Sequence, residues 1–128
     1  MPTFSGSFIV EPNDFPLRAQ RFIIRDDEIA FDFRYKTSHV GGEEFPLDDK
    51  ARLQPEGFYR CDVTDPNSEF EPDQAIIYIL RAKVQERGCF VEGFWHEKNE
   101  GAYKFWGMLL PEIGPAIVLR GRERRLSE

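Results

Sequence analysis

His39 and His96 are the only histidines of the chain, and Cys61 and Cys89 its only thiols. Histidine is the side chain that exchanges protons most readily near neutral pH, and cysteine the readiest nucleophile or soft metal ligand. Neither type is placed here for joint work. His39 lies in Lys36–Gly42, beside Gly41-Gly42, in a stretch that reads as a loop, while His96 ends a strand-like run between Trp95 and Glu97. Neither has a carboxylate, a cysteine or a second histidine at metal-ligand spacing. The cysteines fall outside any CxxC or zinc pattern, and each sits in a strand-like run where a thiol behaves as a small apolar residue, so two buried free thiols are expected. Ser5 and Ser7 alternate with Gly6 and Phe8 and read as a strand surface. There is no GxSxG, no Walker A motif and no GxGxxG opening a helix. An enzyme here would have to use isolated groups at the mouth of a barrel, as a lyase or isomerase without a sequence signature does. His39, Glu92, His96 and Tyr103 are the candidates for that chemistry.

Carboxylates are plentiful but unevenly spread. Glu43–Asp73 holds ten of them against Lys50, Arg52 and Arg60. Within it Asp65-Pro66-Asn67-Ser68-Glu69-Phe70-Glu71-Pro72-Asp73 sets oxygen side chains at alternate positions, a spacing superficially like a calcium loop. A hard cation needs a tightly curled backbone to bring six to eight oxygens together. Phe70 stands where the curl requires glycine, and two prolines stiffen the segment, so no metal and no cofactor are expected. The segment reads as a solvated acidic loop; as a docking surface it would suit a basic partner, as an inhibitor or immunity-type protein does.

The chain carries 17 Lys and Arg against 23 Asp and Glu, a net charge of −6, which argues against nucleic acid as a partner. The tail Arg120-Gly-Arg-Glu-Arg-Arg is too short and too isolated to change that. No apolar stretch approaches the length needed to span a bilayer, and Met1–Phe8 lacks the basic start and apolar run of a secretory signal. A cytoplasmic protein without a membrane or nucleic-acid partner is the expectation. Hydrophobic residues make up 41% and charged residues 31% of 128 residues, enough for one self-sufficient core in a single domain spanning 1–128, with 120–128 as a basic tail.

The elements that must position these side chains are strands. Period-2 alternation recurs along the chain, broken by turn residues every ten or so positions, and Phe, a strand-favouring residue, occurs 12 times. No window has a helical apolar rhythm; Phe45–Leu53 could form at most a turn or two. A turn at Asp26-Asp27 sets Ile24 opposite Ile29 and Phe22 opposite Phe31, on one face with Phe33 and Tyr35. A turn at Arg87-Gly88 sets Val84 against Val91, Ala82 against Gly93 and Leu80 against Trp95. A turn through Glu97–Gly101 sets Trp95 against Tyr103, Gly93 against Phe105 and Val91 against Gly107. The last two registers predict one inward face of Tyr78, Leu80, Ala82, Val84, Val91, Gly93, Trp95, Tyr103, Phe105, Gly107 and Leu109. Phe105 over Gly93 would be an aromatic covering a glycine. Further strands are expected at Thr3–Val10, Ala19–Asp26, Glu28–Lys36, Gly57–Thr64 and Ala116–Arg120, with the prolines between strands. About eight antiparallel strands predict a meander β-barrel, with a curled sandwich as the alternative.

Gly93-Phe94-Trp95 resembles the Gly-x-Trp of lipocalins and other calycin-like barrels. There it marks the first strand, and here it falls in about the sixth, so the resemblance implies fold alone and no ligand site comes with it. Two surfaces follow from the registers. Inside, Tyr78, Trp95, Tyr103 and Phe105 would wall a site for a small apolar ligand. Outside, Lys83, Glu92 and Trp106 would form one cross-strand row and Arg81, Phe94 and Lys104 the next, with Phe90 and Met108 extending the patch. Phe90, Phe94, Trp106, Arg81 and Lys104 would then serve an interface with a second copy or another protein, unless the patch is covered by the N-terminal strands or the basic tail. A non-enzymatic binding or interaction protein is the expected function.

Overall fold

Alternate side chains of each strand turn inward, and the sheet they build closes on itself. The computed structural model describes residues 2–12, 15–36, 42–67, 70, 74–98 and 100–112. Its strands are β1 (Phe4–Glu11), β2 (Leu17–Ile24), β3 (Glu28–Tyr35), β4 (Phe45–Leu53), β5 (Tyr59–Asp62), β6 (Ala75–Gln85), β7 (Gly88–Glu97) and β8 (Gly101–Pro111). Each pairs antiparallel with the next, and β1 pairs with β8 to complete the eight-stranded meander barrel that the alternation predicts. Among the described residues there is no helix, hence none long and apolar enough to cross a membrane.

An eight-stranded barrel is just wide enough for side chains to fill. Phe22, Phe31, Phe33, Trp95 and Phe105 are fully buried inside it. Phe33 packs edge-on to Phe8 and Phe105, with ring centroids 5.4 and 5.9 Å apart, and Phe8 meets Phe105 at 5.1 Å. Such edge-to-face pairs add about 0.5–1.5 kcal/mol each beyond the area they bury. Cys61 and Cys89 are both free and buried, as their strand contexts predict.

Two of the three predicted registers are found. Ile24 faces Ile29 and Phe22 faces Phe31 across β2–β3; Trp95 faces Tyr103, Gly93 faces Phe105 and Val91 faces Gly107 across β7–β8. A β-carbon on Gly93 would lie 2.7 Å from the Phe105 ring and collide with the Tyr78 carbonyl oxygen, so the ring covers the glycine as expected.

The β6–β7 register differs from the prediction. Gln85 pairs with Gly88, making Glu86-Arg87 the two-residue turn, and Ala82 faces Val91. Gly88 is required for close approach and not for the turn, because a β-carbon there would strike the Leu109 carbonyl oxygen on β8. A bulge at Leu80 then shifts the ladder, so that Ile79 faces Gly93 and Ile77 faces Trp95. One extra residue sends the side chains beyond it to the other face. Ile77 and Ile79 are therefore inside, whereas Tyr78 is half-buried on the outer side and Leu80 is exposed. Val84 keeps its inward parity but is exposed, five residues beyond Ile79, the last buried side chain of the strand, and beside the turn.

Phe45–Leu53 is a strand, not a helical turn. Leu47 and Ala51 go into the core while Asp48, Lys50 and Arg52 stay outside, a period-2 pattern that pairs the whole length of β4 with β3. Pro46 lies within this strand and Pro111 ends β8, contrary to the placement of the prolines between strands. Pro46 is tolerated because β5 pairs only with Arg52 and Leu53, leaving the start of β4 a ladder partner on one side. The predicted strand at Ala116–Arg120 and the basic tail lie outside the described residues.

Candidate functional site

The inward candidates meet at one end of the barrel, where they are packed against each other's neighbours. Trp95 has the rings of Tyr35, Phe15 and Phe70 around it, with centroids at 5.0, 5.6 and 5.8 Å. Its Nε1 donates to Glu97 Oε2 at 2.9 Å, satisfying the one polar atom of a buried indole. Tyr103 leans on Phe15 at 5.6 Å, and Phe105 sits deeper, on Phe8 and Phe33. Tyr78 does not join them: on the outer side it packs against Phe58 at 5.9 Å, and the Arg60 guanidinium lies 5.8 Å from its ring centre. Phe15 and Phe70, which complete this end, come from loops and were not anticipated. The signal was available in Glu69-Phe70-Glu71, where a large ring inside an acidic loop has no reason to be in water.

The groups that could move protons are not convergent. Glu92 points outward between Arg81 (3.7 Å) and Lys104 (3.5 Å). His96 is exposed two places beyond Phe94 on the same outer side of β7, whereas Tyr103 pairs with the inward Trp95. His39 lies outside the described residues. Among the described residues no group of three or more His, Cys, Asp or Glu is placed to hold a metal ion.

The outer side of β6, β7 and β8 is where the sequence predicts an interface; Arg81, Phe90, Phe94, Lys104 and Trp106 lie together there, with β1 alongside. The rows read Ile9, Trp106, Glu92 and Arg81; then Ser7-side Met108, Phe90 and Lys83; then Lys104, Phe94 and Tyr78. Relative to the sequence expectation, Arg81 and Lys83 each move one row, because the β6–β7 turn lies one residue earlier and the pairing slides by two. Ile9, Leu80, Met108 and Leu110 are 44–58% exposed, and Phe90, Phe94 and Trp106 are half-buried. Among the described residues, the exposed large hydrophobic residues off this face are Leu53 on β4 and Val84 beside the β6–β7 turn. Lys104 lies over the Trp106 ring at 5.5 Å, a cation–π contact that fixes both side chains.

A second polar feature occupies the β4–β5 seam. The ladder there stops after Leu53–Tyr59 and Arg52–Arg60. Beyond it the Asp49 carboxylate takes over, accepting from the Thr64 amide at 2.8 Å and the Lys50 amide at 2.9 Å, while Asp65 accepts from the Asp48 amide at 2.9 Å. The resulting surface groove, about 500 Å³, is lined by Lys50, Arg52, Arg60 and Asp62 among others. Cys61 lies at its floor, where burial and the neighbouring Asp49 charge push its thiol well above the ordinary range; burial alone pushes Cys89 up to about 11. Neither is a ready nucleophile.

Family models, curated proteins and solved structures were compared with the chain, and none of the three comparisons gave a match.

Proposed function

We propose that the protein is a non-enzymatic interaction protein that seats a protein partner on the outer face of β1, β8, β7 and β6. The observation that carries this reading is the gathering of Ile9, Leu80, Met108 and Leu110 on one face, around the half-buried Phe90, Phe94 and Trp106. Contiguous exposed apolar surface of this kind marks interaction sites, and Trp and Arg are common among the residues that dominate binding. The interior weighs the same way. Trp95 and Phe105 spend their faces on Phe15, Tyr35, Phe70, Phe8 and Phe33, which favours an external partner over a small apolar ligand within. Two buried free thiols fit a reducing compartment such as the cytoplasm.

The test is a photo-crosslinking amino acid placed at Met108 and, as control, at Lys50 on the charged side of the wall. In cells of the source organism a discrete protein adduct from position 108, and none from position 50, is expected. Adducts from position 50 alone, or from neither position, would reject the reading.

A further inference from the structure

Resting on that docking face, we infer that its partner is a protein segment with apolar anchors flanked by Asp or Glu, and not a second copy seated face to face. The charges of the face decide this. Glu92, its central carboxylate, is tucked in, its side chain 24% exposed, while the Arg81 and Lys104 side chains that share it are 63% and 45% exposed. Lys83, one row away, is exposed and has no ion-pair partner among the described residues. Glu11 stands opposite Lys104 at the β1 margin, so a partner meets an apolar centre whose projecting charges, Arg81, Lys83 and Lys104 against Glu11, are cationic in excess, on a chain whose net charge is −6.

Complementary charge at the rim sets both partner choice and encounter rate. A two-fold dimer through the centre of this face would bring Arg81, Lys83 and Lys104 of both copies into one contact with only Glu92 and Glu11 to offset them, a net like-charge arrangement. The arginines of the chain's own tail, Arg120, Arg122, Arg124 and Arg125, share the sign of that rim. Long polyanions are disfavoured by the net charge. Base stacking is hindered as well, since Lys104 already covers the Trp106 ring and the most exposed apolar residues are aliphatic.

The experiment pans a random-peptide display library against the immobilised full chain and measures the enriched peptides in solution against three proteins. These are the unaltered chain, Met108→Glu, and the double variant Lys83→Glu with Lys104→Glu, each checked for an unchanged near-UV circular dichroism spectrum. Expected are peptides enriched in Asp or Glu beside apolar residues. They should bind about tenfold or more weakly to Met108→Glu, the loss of a central anchor, and several-fold more weakly to the double variant and at high salt. Peptides that need Met108 but carry no acidic bias, or that ignore the double variant, overturn the partner chemistry and leave the docking face standing. Enriched peptides that are all indifferent to Met108→Glu overturn the docking face itself. Sedimentation showing a dimer that Met108→Glu dissolves gives the face to a second copy. Binding of oligo(dT) or of phosphatidylserine vesicles, abolished by Met108→Glu, reassigns it to a nucleic acid or a membrane; each of these results overturns the inference.

Discussion

Along β2 to β5 the outer wall is tied up in ion pairs, Arg18 with Glu44, Arg25 with Glu28, Arg34 with Asp32 and Arg60 with Asp62, whereas from β6 round to β1 exposed apolar side chains surround one ion-paired cluster of Arg81, Glu92 and Lys104. The ladders beneath differ in the opposite sense. β7 and β8 pair without a break from Cys89–Leu109 to Glu97–Gly101, while β4 and β5 share two residue pairs and then depend on Asp49. The Asp49 contacts fall where main-chain pairing is thin, whereas the ion pairs around β3 flank a β3–β4 ladder as unbroken as that of β7–β8. Exposed ion pairs contribute only about 0–1 kcal/mol each, so the charged half gains a satisfied surface more than it gains stability.

Substitutions that cross this division should behave differently on its two sides, and the inner wall sets the scale. Trp95→Ala, which removes the ring that Phe15, Tyr35 and Phe70 all touch, is expected to cost about 3–5 kcal/mol in urea unfolding. Asp49→Ala strips the seam of its acceptor for Thr64 and Lys50, and should cost about 1–2 kcal/mol. Hydrogen exchange should rise at the Thr64 amide and not across β7–β8; uniform exchange in both places would remove the contrast between the two ladders.

Ionisation sharpens it further. The Arg18 hydrogen bond holds the Glu44 carboxyl below its usual range. Its stabilisation is present above the unfolded value of about 4.3 and is lost as the pH falls through the lowered folded value. Arg18→Gln should abolish that acid-side loss, an effect of about 1 kcal/mol or less on a half-exposed pair. The thiols act in the other direction. Cys89, raised to about 11, keeps its proton when the unfolded chain would already have lost it. That contribution is complete below about pH 8.5 and disappears as the pH rises through the folded value. Cys89→Ala should flatten the alkaline limb of the stability profile, and neither thiol should react with a disulfide reagent at pH 8 until the chain unfolds. Smallest of all, Met108→Glu should change stability by no more than about 0.5 kcal/mol while removing a partner. A large loss of stability would mean that the apolar face serves the fold.

Much of this barrel was legible because alternation names a face, and a tight turn fixes which residues lie opposite. Both registers that rest on a correctly placed turn, Phe22 with Phe31 and Trp95 with Tyr103, are present. The third misled because Gly88 reads as a turn glycine, although its true constraint is the nearby β8 backbone, which no local pattern reveals. Ile76-Ile77-Tyr78-Ile79-Leu80 has no alternation to read, so the bulge at Leu80 left no trace in the chain. β4 was obscured by Asp49, a carboxylate at an inward position whose partners lie 15 residues on. The outer interface residues on β7 and β8 were legible from the same alternation as the core. Phe15 was not, since a loop ring folding inward obeys tertiary packing and no period, and Phe70 was marked only by its acidic neighbours Glu69 and Glu71.

With β1 laid against β8, the sheet runs out of borders, and the interruption at β4–β5 is taken by the Asp49 carboxylate. A margin that is left among the described residues is the start of β4, where Pro46 and the Asp49 carboxylate stand in the way of a foreign chain grafted as a ninth ribbon. A partner on the face of β6 to β8 would read the tips of side chains, and a change of a few surface residues there would redirect that choice without rebuilding the scaffold.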